Sequence, residues 1–204
     1  YAEKRPFFLD GIELFSTPNQ LIYTRRIVAP LFAAKLAGKV GGTTLAVLSA
    51  VDDPDVSASG QDYPVFNIAR VQRDIGGQSK LAVVYTDKID GDRSNRVAGV
   101  DTRLVFKKVY TWAWQAAVSR THESDATRVA PLWQSVFSRN GRTFGLRYTL
   151  TGIDEEFRAA SGFISRAGIV RGALDHRLTK YGEKGSWWER ASGNVMTDAT
   201  WQYD

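Results

Sequence analysis

Residues 97–118 change side-chain character at every step, and a period of two fits one backbone, the extended strand. Ala98, Val100, Thr102, Leu104 and Phe106 fall on one face, and Val97, Gly99, Asp101, Arg103 and Val105 on the other. After a tight reversal at Lys107 and Lys108, Tyr110, Trp112, Trp114, Ala116 and Val118 oppose Thr111, Ala113, Gln115, Ala117 and Ser119. One face is apolar; the other is small or polar. Such a ribbon either packs its apolar face on a second sheet, as in a soluble sandwich, or turns it to lipid and lines a lumen with the other.

The same pattern recurs along the chain. In 31–40, Phe32, Ala34, Leu36 and Val40 oppose Ala33, Lys35, Ala37 and Lys39; Gly41-Gly42 reverses the chain and 43–51 returns. A strand over 65–74 turns at Ile75-Gly76-Gly77-Gln78 and returns through 81–86. A strand over 129–139 turns at Asn140-Gly141 into 143–151, where Phe144, Leu146, Tyr148 and Leu150 oppose Thr143, Gly145, Arg147 and Thr149. Segments 169–181, 187–195 and 199 onward are strand-like but less regular, and 21–28 reads as a short strand carrying Arg25 and Arg26. Short connections at 41–42, 75–78, 107–108 and 140–141 alternate with long ones at 52–62, 87–95, 121–128 and 152–162. Short turns at one end of a sheet and long loops at the other are the form of bacterial outer-membrane barrels, and strands of about nine to eleven residues suit a tilted crossing. The chain therefore reads as all-β, an antiparallel up-and-down β-barrel of transmembrane type, whole or partial. Residues 1–30 form a linker with a short strand, and 31–204 the barrel region.

Helix is disfavoured by glycines, 18 in all, that recur inside the periodic segments. The longest apolar runs, such as 81–85, are far below the roughly 20 residues of a membrane helix, so any crossing is made by strands. With no cysteine there is neither a disulfide framework nor a thiolate metal site. The net charge of +5 and pI of about 9.5 invite a nucleic-acid reading, but the charges are spread singly without a basic helix or arm, and no nucleic-acid partner is expected. The two histidines, His122 in a loop and His176 on a strand, have no nucleophile arranged with them. The acidic runs Asp52-Asp53-Pro54-Asp55 and Asp90-Gly91-Asp92 lack the twelve-residue calcium pattern. No catalytic residue, metal or cofactor is expected.

Glu3-Lys4-Arg5-Pro6-Phe7-Phe8-Leu9-Asp10-Gly11, then Leu14-Phe15, Tyr23-Thr24-Arg25-Arg26-Ile27 and Ala33-Ala34-Lys35-Leu36-Ala37-Gly38-Lys39 form a recognisable series. It continues through Arg70-Val71-Gln72-Arg73-Asp74-Ile75-Gly76, Asn95-Arg96-Val97-Ala98-Gly99-Val100-Asp101, Phe157-Arg158-Ala159 and Gly162-Phe163-Ile164-Ser165-Arg166. Over nearly its whole length the chain resembles, in collinear order, a bacterial family of uncharacterised outer-membrane-type β-barrel proteins. Its members carry an N-terminal domain similar to family 9 carbohydrate-binding modules. The resemblance implies the first part of the barrel with the linker before it; it implies no activity and no catalytic residues.

The expectation is a non-enzymatic barrel of the bacterial outer membrane, acting as a passive or partner-assisted channel or a surface anchor. Its partners are membrane lipid and other envelope proteins or further parts of the same parent chain. Lys35, Lys39, Asp101, Arg103 and Arg147 are the pore-lining candidates, and Tyr110, Trp112, Trp114, Phe144, Leu146 and Tyr148 the lipid-facing ones. An open lumen with this charge set prefers anions. The competing readings are a soluble β-rich module binding sugars or small amphiphiles, in which Tyr110, Trp112 and Trp114 stack on the ligand, and the barrel part of an envelope hydrolase.

Overall fold

A computed structural model describes residues 2–203; Tyr1 and Asp204, at the outer ends of the expected linker and barrel spans, lie outside the described residues. Alternation over nearly the whole chain produces ten strands: β1 (Pro30–Val40), β2 (Thr43–Asp52), β3 (Val65–Gly76), β4 (Ser79–Asp90), β5 (Arg93–Phe106), β6 (Tyr110–Glu123), β7 (Ala126–Asn140), β8 (Phe144–Ile153), β9 (Ile169–Tyr181) and β10 (Arg190–Gln202). They form one antiparallel sheet in chain order, each strand hydrogen-bonded to the next. The sheet is up-and-down throughout and is not closed into a barrel: β1 and β10 are its two edges.

Two of the expected long loops are strand. The segments 87–95 and 121–128 run straight through tight turns at Gly91-Asp92 and Ser124-Asp125, with Ser124 in the left-handed region at φ 54°. Their polar residues suggested loops because polar side chains here pair across strands: Arg96 with Asp87, and Asn95 with Thr121. The regular alternation of short and long connections therefore fails. Long connections remain at 53–64 and 154–168 at one end, and 182–189 lies at the other. At the tight 107–109 turn, Lys107 and Lys108 both take positive φ, at 50° and 60°. The strands are 10 to 15 residues long: β1, β2 and β8 lie within the expected nine to eleven and the other seven exceed it.

Pro131, inside β7, tests the ladder, because proline removes a donor. β7 pairs with β6 down to Glu123↔Ala126 but with β8 only from Leu132↔Ile153 onward. The Pro131 carbonyl points to the side that β8 has left, where it accepts from Asp154 N at 3.1 Å. The missing N–H faces the same way, so no ladder bond is lost.

The expected strand at 21–28 is instead a 3₁₀ turn, Thr24–Arg26, within an N-terminal segment that also holds the short helix α1 (Pro6–Leu9). The buried residues Leu21, Ile22, Thr24 and Ile27 do not alternate; they are placed by irregular packing against one face of the sheet. The core forms there. Phe8, Phe15, Leu21 and Ile27 from the segment and Phe157 from the 154–168 connection meet Leu48, Phe66, Ile68, Val97 and Leu132 of the wall. This covered face is called inner below, and the bare one outer. Phe157 is 1% exposed, so Phe157→Ala is expected to lower stability by about 3–5 kcal/mol, read from the denaturant midpoint.

Candidate functional site: the two faces of the sheet

Residues opposite each other in an antiparallel ladder share a face, so register assigns every strand residue to a side. Phe106↔Tyr110, Leu104↔Trp112 and Thr102↔Trp114 place Tyr110, Trp112 and Trp114 on the outer face. Phe137↔Tyr148 and Arg139↔Leu146 bring Tyr148 and Leu146 to that same face, with Phe144 two residues earlier in the strand. All six lipid-facing candidates thus stand on one side. Phe106 and Tyr110 stack at 5.4 Å between centroids, Phe137 lies 6.1 Å from Tyr110, and the Arg139 guanidinium sits over Tyr110 and Phe144. This aromatic row crosses β5 to β8 beside the tight turns. Tyr148 Oη and His176 Nε2 are hydrogen-bonded at 2.8 Å, and Trp112 Nε1 donates to Ser135 Oγ at 3.0 Å.

The rest of the outer face is apolar and exposed, from Phe32, Leu36 and Val40 on β1, through Val83, Tyr85 and Val118, to Leu174, Leu178, Val195 and Trp201 on β9 and β10. Asp87, Arg96 and Arg120 lie towards one end of this face, and Arg73, Arg139 and Lys180 towards the other. Between them no strand carries an Asp, Glu, Lys or Arg on its outer face. Along β5 this band runs from Ala98 to Phe106, about 27 Å of strand.

The inner face holds the five pore-lining candidates, in different surroundings. Lys35 lies beneath the N-terminal segment with its side chain 8% exposed, and its ammonium donates to the carbonyls of Phe7 and Asp10. Lys39 pairs with Asp74 at 2.5 Å. Asp101 is buried and takes both arms of the Arg70 guanidinium, at 2.5 and 2.8 Å. Arg103 and Arg147 are exposed, Arg103 opposite Lys80 and Arg147 opposite Asp175. The open part of this face is therefore basic, because the acid of Asp101 is neutralised by Arg70 within the wall.

Three further contacts organise the N-terminal segment: one ties it to the wall, one braces it internally and one joins it to the 154–168 connection. Gln115 on β6 accepts at Oε1 from both the backbone N and the side-chain amide of Asn19, at 2.8 and 2.9 Å. Glu3 is gripped by Arg5 and Thr24, and Arg5 also donates to the carbonyls of Thr24 and Ile27. The Arg5 guanidinium holds the Glu3 carboxyl well below the ordinary glutamate range despite its burial. Its contribution to stability is complete above the ordinary glutamate pKa and is lost progressively as the pH falls from there towards the lowered one. Finally, Phe163 N donates to Gln20 O and Tyr23 N to Ser161 O, so residues 20–23 and 161–163 clasp each other through backbone. A Cβ on Gly162 would lie 2.5 Å from Gln20 O and 2.7 Å from Leu21 O, so only glycine permits this approach.

Parity carries the signal for both Gln115 and Arg70, since each falls on the inner face of its strand, Gln115 between Ala113 and Ala117 and Arg70 next to Ile68. What they bind there comes from distant parts of the chain. Among the described residues no group of His, Cys, Asp or Glu is arranged to hold a metal. No family model, no curated protein and no solved structure matches the chain.

Arg70 and Asp101 are 3% and 4% exposed, so the pair is largely desolvated. Removing one partner strands a buried charge, and Arg70→Met is expected to cost about 3–5 kcal/mol in a denaturant titration. The double variant R70M/D101L is expected to regain most of that loss.

Proposed function

We propose that this chain is part of the wall of a bacterial outer-membrane β-barrel, non-enzymatic, serving as a conduit or a surface anchor. The observation that carries the reading is the outer face: ten strands wide, apolar, free of Asp, Glu, Lys and Arg across its middle, and edged by an aromatic row. The largest apolar patch on a soluble monomer is typically about 300–600 Å², and a face this broad needs lipid or a covering partner. The resemblance to the outer-membrane-type barrel family points the same way.

Open edges cannot stand in hydrocarbon, where every backbone donor and acceptor needs a partner. β1 and β10 run antiparallel to each other because the strand number, ten, is even. The wall thus closes on itself, or through an even number of further antiparallel strands, supplied by the same parent chain or another envelope protein. Their side chains would continue the apolar row of Phe32, Leu36 and Val195 outward.

The protein is expected to be monodisperse only in detergent or lipid, checked by light scattering across a detergent series. A sharp monomer in plain buffer would sink the membrane reading in favour of a soluble binding module. Where the completed barrel conducts, its exposed Arg103 and Arg147 bias entry towards anions. The double variant R103E/R147E is expected to shift the reversal potential towards cations in planar bilayers; unchanged selectivity would remove these residues from the conduction path.

A further inference from the structure

We infer that residues 3–27, clasped by the 154–168 connection, are a plug that keeps the lumen closed at rest. This rests on the barrel reading and decides between its two forms, because a plugged wall is not a passive pore. Lipid-facing strands need no apolar residues on their lumen side, yet the inner face of β2 to β8 presents Leu48, Phe66, Ile68, Val97, Leu132 and Ile153. They are buried because the N-terminal segment sits on them. The contacts span the wall: Lys35 on β1 holds the carbonyls of Phe7 and Asp10, and Gln115 on β6 holds Asn19. Strands lie about 4.8 Å apart, so a segment fixed to both β1 and β6 crosses about 24 Å of wall. Barrels of 16–18 strands leave an aqueous channel unless something fills them. Here the filling lies towards the end bearing residues 53–64 and 154–168, while Arg103 and Arg147 stay exposed beyond it.

The plug is seated by apolar packing, and two polar latches fix it at separate points on the wall, Gln115 on β6 and Lys35 on β1. Gln115→Leu removes the acceptor for Asn19, and Lys35→Met removes the donor to Phe7 and Asp10. These 204 residues hold no cysteine, so an introduced pair is a clean covalent counterpart here, with any cysteine elsewhere in the parent chain first changed to serine. A Cβ on Gly11 would lie 3.7 Å from the Ala37 Cβ, within disulfide range, so G11C/A37C ties the plug to β1. Gly11 has φ +66°, so cross-linking yield is scored by gel before recording.

The experiment uses the complete parent chain in planar bilayers, with heat-modifiable gel migration confirming that each variant forms a barrel. The expected result is low conductance for the unaltered protein, at least tenfold more for Q115L/K35M, and a return to the low level when Q115L/K35M/G11C/A37C is oxidised, reversed by reductant. Equal conductance in the latched, unlatched and oxidised forms, whether high or absent, overturns the plug. A chain that shows no heat-modifiable band fails at the barrel reading instead, so the two failures are distinguishable.

Discussion

Register is the constraint on which everything else here depends. In a pleated strand, a slip of one residue carries every side chain to the opposite face. Seven consecutive antiparallel ladders, from β1 to β8, must agree before Trp112, Phe137 and Tyr148 share a side with Val83 and Leu36. Two of them, β3–β4 and β4–β5, must agree before Arg70 can meet Asp101 across β4 on the other side. Both faces are strongly typed, one lacking charge through its middle and one bearing a buried ion pair and a packed core, so each ladder is held in place from two directions.

The inner face combines two kinds of surface that usually belong to different proteins. Near the 154–168 connection it is a hydrophobic core like that of a soluble domain, with Phe66 and Leu132 against Phe8 and Phe157. Nearer the tight turns it is an open basic surface. The Arg70–Asp101 pair and the Gln115–Asn19 contact stand between these regions, and Gln115 is directly opposite Asp101 in the β5–β6 ladder. The buried Nε2 of Gln115 has no partner among the described residues. Such a group costs stability where it sits, and that cost falls on a contact that joins segment to wall.

The alternating faces were legible in the sequence because period two is a local property. The side assignments of Trp114, Leu146, Arg103 and Arg147 follow from neighbours two residues away. Hairpin ends were misread where polar residues pair across strands instead of facing water, as at Asp87, Asn95 and Thr121. The role of the N-terminal segment was not legible, since it is set by contacts 96 residues away at Gln115 and 136 away at Gly162. Lys35 shows both cases. Its face follows from parity, but its burial under Phe7 and Asp10 depends on a segment with no period to reveal it.

The Gly162 clasp also orders events in time. Residues 20–23 are made before any strand of the wall, yet their backbone partners at 161–163 come after eight strands have been made. Contacts so distant in sequence form slowly, because the intervening chain must first be confined. Until β8 is paired and the chain has turned back through 154–168, Phe8, Phe15 and Leu21 have nothing complete to dock on. During that interval they are exposed apolar surface on an unfinished wall, and the segment that precedes every strand is the last to settle.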